Sequence, residues 1–120
     1  MENSNENIFG DLSVPGLNSE ELSELYDLYS AILTMKTPEE LNLFFRDLCS
    51  VSEMHSFLHR WQIVRRIDDG KSYEEIIREL TPEDGNGKTT VSSTTISRVK
   101  NCYINDKGGY RTALDRLKGE

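Results

Sequence analysis

The chain has 120 residues, three prolines, two cysteines and a formal charge of −7, a size that fits one domain burying roughly 65% of its unfolded surface. No apolar run approaches the ~18 residues of a membrane span, and the amino terminus, MENSNENIF, is acidic and polar, unlike a signal or transit peptide. Cys49 and Cys102 form no CxxC, so a reducing, cytoplasmic setting is expected. The acidic total speaks against a nucleic-acid partner only until its distribution is read. Residues 1–59 hold two basic and eleven acidic side chains, residues 60–120 twelve and ten, and residues 85–118 seven and two. A nucleic-acid footprint needs a local basic face rather than a basic protein, although clustering on a solvated face gives the same count.

Residues 1–17 read as a loose tail closed by Pro15-Gly16, and residues 18–118 as a single helical domain. A first helix starts at Asn18 or Ser19, with Leu22, Leu25, Tyr26, Tyr29, Ile32 and Leu33 on one face at helical spacing. Thr37-Pro38-Glu39-Glu40 starts the second as N-cap, first-turn proline and capping-box acid, and Leu41, Phe44, Phe45 and Leu48 form its stripe. Ser50 with Glu53 opens a third helix that carries Met54, Phe57, Leu58, Trp61, Val64 and Ile67 inward and stops at Gly70. Ser72 with Glu75 opens a short fourth helix holding Ile76, Ile77 and Leu80, which Thr81-Pro82 ends because proline disfavours helix before itself. A polar loop follows. Ser92 or Ser93 then caps a fifth helix with Ile96, Val99, Tyr103 and Ile104 inward, and a last helix, Tyr110 to Lys118, offers Ala113, Leu114 and Leu117. No strand pattern competes, so the fold class is all-α with six helices.

Three chemical readings fall away. Gly87-Lys88-Thr89 matches the end of a nucleotide phosphate loop, but Pro82 stands where the first glycine belongs, and the preceding segment is helical rather than a buried strand. His55 and His59 stand four apart, yet Ser56 occupies the glutamate position of HExxH and a third ligand is lacking, so no metal is expected. No nucleophile has a neighbouring base, so the chain is not read as an enzyme and no catalytic residue is assigned.

A short helix, a break and a second helix, about 72–104, follow the order of a helix-turn-helix, whose second helix enters the major groove. Hydroxyls, amides and basic groups suit phosphates and base edges, and free N–H groups at a helix start suit phosphate. Ser92, Ser93, Thr94, Thr95, Ser97, Arg98, Lys100 and Asn101 surround the buried Ile96 and Val99 in this stretch. Lys71 and Ser72, before the preceding helix, cap either a phosphate or that helix itself. The intervening segment 81–92 is far longer than the usual three- or four-residue turn; Lys88 in it either reaches the DNA backbone or points to solvent. Two functions remain: a sequence-specific, double-stranded-DNA-binding transcriptional regulator, and a helical protein-interaction module whose helix-turn-helix no longer binds DNA.

The segments TPEELNLFFRDLCSVSE, HRWQIVRRIDDGKSYEEI, TTISRV and GGY, over roughly residues 36–114, resemble the Trp-repressor-like family, in particular its YerC/YecD-type branch. The resemblance implies an all-helical, interwoven homodimer that binds DNA and regulates transcription. Arg60 and Arg98 match two arginines that flank a bound tryptophan in the founding member, and so are the candidate effector residues. There the second arginine is followed by glycine; Val99 stands here, and a branched side chain crowds a flat indole ring. The departure puts an amino-acid corepressor in question, and no cofactor is expected.

Overall fold

The computed structural model describes residues 12–81 and 91–119, in which six α-helices and no strand are found: α1 (Ser19–Ile32), α2 (Pro38–Leu48), α3 (Val51–Asp68), α4 (Tyr73–Leu80), α5 (Ser93–Tyr103) and α6 (Gly109–Gly119). The all-α, six-helix reading is what the chain adopts. Its segments group into two compact units that divide between Leu48 and Cys49.

The helix starts follow from their caps. Asn18, Ser50 and Ser72 each accept a hydrogen bond from the amide three residues on, and the carboxylates of Glu21, Glu53 and Glu75 each accept one from the cap amide, so two otherwise unsatisfied donors are paired at each start. Thr37 departs from this pattern. Its Oγ1 accepts from the Glu40 amide at 3.1 Å, but the Glu40 carboxylate accepts from the amide of Lys36 at 2.7 Å, one residue earlier than a capping box places it. The end of α3 is equally specific. Gly70 takes φ +83, where a side chain would be strained, and the amides of Gly70 and Lys71 donate to Ile67 O and Arg66 O, both at 3.0 Å. This paired closure uses up the last carbonyls of α3 and turns the chain sharply into α4.

The core lies in the second unit. Ile63, Val64, Ile76 and Ile96 are fully buried, joined by Val91, Val99 and Leu114, with Trp61, Ile67, Tyr73, Ile77, Leu80, Tyr103 and Tyr110 packed against them. Helix α3 meets both α4 and α5, and α5 also meets α4 and α6. That double contact buries two adjacent residues of α3, Ile63 and Val64, where a single helical stripe predicts Val64 alone. Several residues expected inward are instead exposed: Phe57 at 45%, Leu58 at 48%, Ile104 at 62% and Leu117 at 57%. Phe57 and Leu58 lie in the half of α3 before the core, Ile104 is already the C-cap of α5, and Leu117 lies beyond the last core contact of α6.

The first unit behaves differently. Neither α1 nor α2 has a buried residue. Their apolar stripes occur at the expected spacing, but Tyr29, Leu33, Leu41, Leu43 and Leu48 remain exposed, Leu33 at 82%. A core built by the first three helices is therefore not what this chain has; the second half of α3 and the helices after it supply it.

Truncating Ile96 to alanine is expected to cost about 2–5 kcal/mol, the range for a large aliphatic removed from a closed core. Leu117→Ala should stay within about 0.5 kcal/mol because its side chain faces solvent. Urea unfolding followed by circular dichroism checks both, and equal losses would place the core elsewhere.

Candidate nucleic-acid interface

Helix α5 is held along one side and free along the other. Ile96 and Val99 point into the core. Ser93, Thr94, Ser97, Arg98, Lys100 and Asn101 are all exposed, and no acidic residue occurs between Ser93 and Tyr103. With 3.6 residues per turn, Ser93, Thr94, Ser97, Arg98 and Asn101 share the outer face, and Lys100 stands at its flank. Hydroxyls, an amide and cations on a rigid outward face form a surface of hydrogen-bond donors and acceptors with positive charge. Such a surface suits a polyanion whose groove edges carry the complementary pattern.

The front of α5 is already organised. Ser92 Oγ accepts from the amide of Thr95 at 3.1 Å and lies 3.0 Å from its hydroxyl. Ser92 and Thr95 thus bond to each other and to the helix start, and Thr95 is only half-exposed. Ser92 and Ser72 are both N-caps; Ser72 is satisfied by Glu75, whose amide donates to Ser72 Oγ at 3.1 Å while its carboxylate accepts from Ser72 N at 2.8 Å. Of the two readings of Ser72, self-capping is the one adopted here. Lys71 is engaged too, its Nζ 2.8 Å from Glu79 Oε2. Lys88 lies outside the described residues, as does Gly85–Thr90, the phosphate-loop look-alike.

Polar contacts that the sequence reading did not assign set the pose of α5. Tyr73, the first residue of α4, places its hydroxyl 3.3 Å from Ser97 Oγ, and the Lys100 ammonium lies over its ring at 5.8 Å from the centroid. One aromatic ring from the preceding helix thereby touches two of the candidate contact residues. At the other end, Tyr103 donates to Asp68 Oδ1 at 2.8 Å, and Lys118 pairs with Asp68 Oδ2 at 2.6 Å. Arg111 stacks on the Tyr103 ring at 4.9 Å and donates to its carbonyl at 3.3 Å. Asp68 therefore ties α3, α5 and α6 together. The hydrogen bonds from Lys118 and Tyr103 hold its carboxyl below the ordinary aspartate value, and the same bond pushes the Tyr103 phenol up. A polar side chain inside an expected apolar stripe, as Tyr103 is, was the available signal for a buried partner.

The candidate effector residues sit on separate helices, Arg60 on α3 and Arg98 on α5, both exposed. Val99, beside Arg98, is 4% exposed and belongs to the core. An open cleft of 660 Å³ lies at the end of α5, lined by Asn101, Cys102, Asn105, Gly108, Gly109 and Tyr110; neither arginine lines it. Burial pushes the Tyr110 phenol up, the Cys102 thiol adds to this, and Arg60 opposes it. His55 and His59 stack with ring centroids 5.8 Å apart. Burial, and then the charge of His55, lower the affinity of His59 for a proton. Among the described residues no three His, Cys, Asp or Glu side chains gather as a metal site.

The profile of the Trp repressor protein family matches residues 23–118. The uncharacterised protein YerC of Bacillus subtilis (strain 168) is 38% identical over 95 residues, covering 79% of this chain and 83% of YerC. A crystal structure from Staphylococcus aureus, provisionally assigned as a Trp repressor, superposes with a TM-score of 0.66 at 35% identity, covering 88% of this chain and 98% of its own.

The Asp68 contacts carry a pH signature. A carboxyl with a depressed folded-state pKa adds stability above its unfolded value, about 3.9, and loses it as the pH falls through the folded value. Asp68→Asn should therefore lower stability at neutral pH by roughly 1–2 kcal/mol, most of it from the Tyr103 bond, since the exposed Lys118 arm contributes little. The gap between the melting temperatures of wild type and variant should narrow as the pH falls below about 4 and close once the pH lies below the folded-state value. A gap that does not narrow at all as the pH falls would assign the loss to packing instead.

Proposed function

The chain belongs to the Trp repressor family, and on that premise we propose that it is a DNA-binding transcriptional regulator without catalytic activity, which reads duplex DNA with the outer face of α5. The observation that carries this reading is the composition and mounting of that face. Ser93, Thr94, Ser97, Arg98 and Asn101 project from a helix without acids, and Ile96 and Val99 dock the opposite side into a closed core. A face of this kind enters a major groove without reshaping the protein, and its cations lie where phosphates flank the groove. Helix α4, with Lys71 and Ser72 before it, takes the place of the helix that crosses the backbone. On this reading its place of action is the cytoplasm, where the bacteria that hold the two relatives keep their chromosome.

The partner proposed for the first unit is a second copy of the chain. Two helices with no buried residue and with Tyr29, Leu33, Leu41, Leu43 and Leu48 exposed present more apolar surface than soluble monomers usually leave uncovered. A two-fold assembly would set two α5 helices facing half-sites about 34 Å apart. In sedimentation equilibrium at micromolar concentration the wild type should be dimeric and Leu33→Glu shifted toward monomer. A monomeric wild type across that range would remove the paired half-site geometry.

Arg98 and Lys100 separate reading from holding. If Arg98 meets a base edge, Arg98→Ala should cost about 1–3 kcal/mol and relax preference at one position. If it instead serves an effector, preference should stay and affinity alone fall. Lys100→Ala should weaken every sequence alike and reduce the dependence of log K on log salt by about one unit. Titrations of each variant against salt, on a selected site and on random duplex, measure all three outcomes. Salt-insensitive and equally weak binding by wild type and variants would favour the protein-interaction reading.

A further inference from the structure

Arg66, near the end of α3, and Lys71, just before α4, are both held by one carboxylate. Arg66 Nε lies 2.8 Å from Glu79 Oε1, and Lys71 Nζ lies 2.8 Å from Glu79 Oε2. Arg66 is further fixed by Gln62, whose Oε1 accepts from Nη1 at 2.7 Å. Both oxygens of Glu79 are thus taken by the side chains that flank the entry to the helix-turn-helix. The contacts with Lys71 and then Arg66 lower the Glu79 pKa, and Glu79 in turn raises that of Lys71.

The position of this bridge gives it a role. Lys71 precedes the N-cap of α4, and Tyr73, two residues on, touches Ser97 and Lys100 of α5. Lys71 therefore leaves the chain two residues before the side chain that contacts the proposed reading face. Its ammonium is drawn instead along α4 to Glu79, the seventh residue of that helix. The arrangement of two donors on two carboxylate oxygens is also the one by which arginine and lysine grip a phosphate. On the reading that α5 binds DNA, we propose that Glu79 is a built-in competitor of the DNA backbone, an intramolecular stand-in for phosphate that withholds Lys71 and Arg66 from it. Because exposed ion pairs of this kind are weak, the bridge restrains these cations without disabling them. It sets non-specific affinity low and leaves discrimination to α5.

The neutral isostere Glu79→Gln tests this on the full-length protein with a short random-sequence duplex. Glu74→Gln is the control, removing one charge from the same helix at a residue outside the bridge. Glu79→Gln should bind about five- to tenfold more tightly than wild type near 0.1 M salt. Its log K should fall more steeply with log salt, by about 0.9 for each cation recovered. Glu74→Gln should leave that slope unchanged, and adding Lys71→Ala to Glu79→Gln should cancel most of the gain. Unchanged melting temperatures confirm that the variants fold. If wild type binds and Glu79→Gln has the same slope, the competitor role is wrong and the DNA reading stands. If neither protein binds duplex at low salt, the DNA reading fails and the competitor role fails with it.

Discussion

Everything proposed for α5 depends on the docking of Ile96 and Val99 against Ile63, Val64 and Ile76. A reading helix has to keep one side dry and the other wet, and a step of three residues from one buried position to the next is the shortest spacing that does so on a helix. Once those two side chains are fixed, the directions of Thr94, Ser97, Arg98 and Asn101 follow without further design. The polar anchors refine that pose. Tyr73 steadies the middle of the helix through Ser97 and Lys100, and Asp68 fixes its end through Tyr103. Hydrophobic burial supplies the strength, while the tyrosines define the angle.

The same economy appears in the electrostatics. The basic excess after residue 85 is real, but cations differ in what they are free to do. Arg98 and Lys100 stand on a helix without acids. Lys71, Arg66 and Lys118 each have a carboxylate partner at 2.8, 2.8 and 2.6 Å respectively. A charge count over a stretch of sequence treats these as equal. Their pairing separates cations that build the fold from cations available to an incoming polyanion.

Helix starts were legible because a capping box is a local grammar of four residues. Ser50 with Glu53 and Ser72 with Glu75 form the hydrogen bonds their spacing implies. The candidate contact face was legible for the same reason: Ile96 and Val99 mark the inner side, and the polar residues take the rest. What the sequence hid is non-local. Tyr103 meets Asp68 across thirty-five positions, and no periodicity announces such a pair. Ile63 was missed because a stripe assumes one neighbouring helix, whereas α3 has two. Phe57, Leu58 and Leu117 carried the right chemistry for a core but lie on the parts of α3 and α6 that do not reach it. As effector candidates, Arg60 and Arg98 came from family resemblance alone; exposed side chains on two helices, they share no local pattern that would pair them.

The anchors of α5 also bear on how the chain reaches this state. Helices α3 and α4 are neighbours in sequence, joined by the tight closure at Gly70, and can meet early. Helix α5 comes later in the chain, and its contacts with α3 span about thirty residues or more. Such contacts raise the contact order and slow the search for the native arrangement. The penalty grows only logarithmically with the length of the closing segment, about 0.6 kcal/mol for each doubling. Because Ile96, Val99 and Tyr103 dock through side chains, the pose of α5 is set by those contacts and not by the length of chain that precedes them.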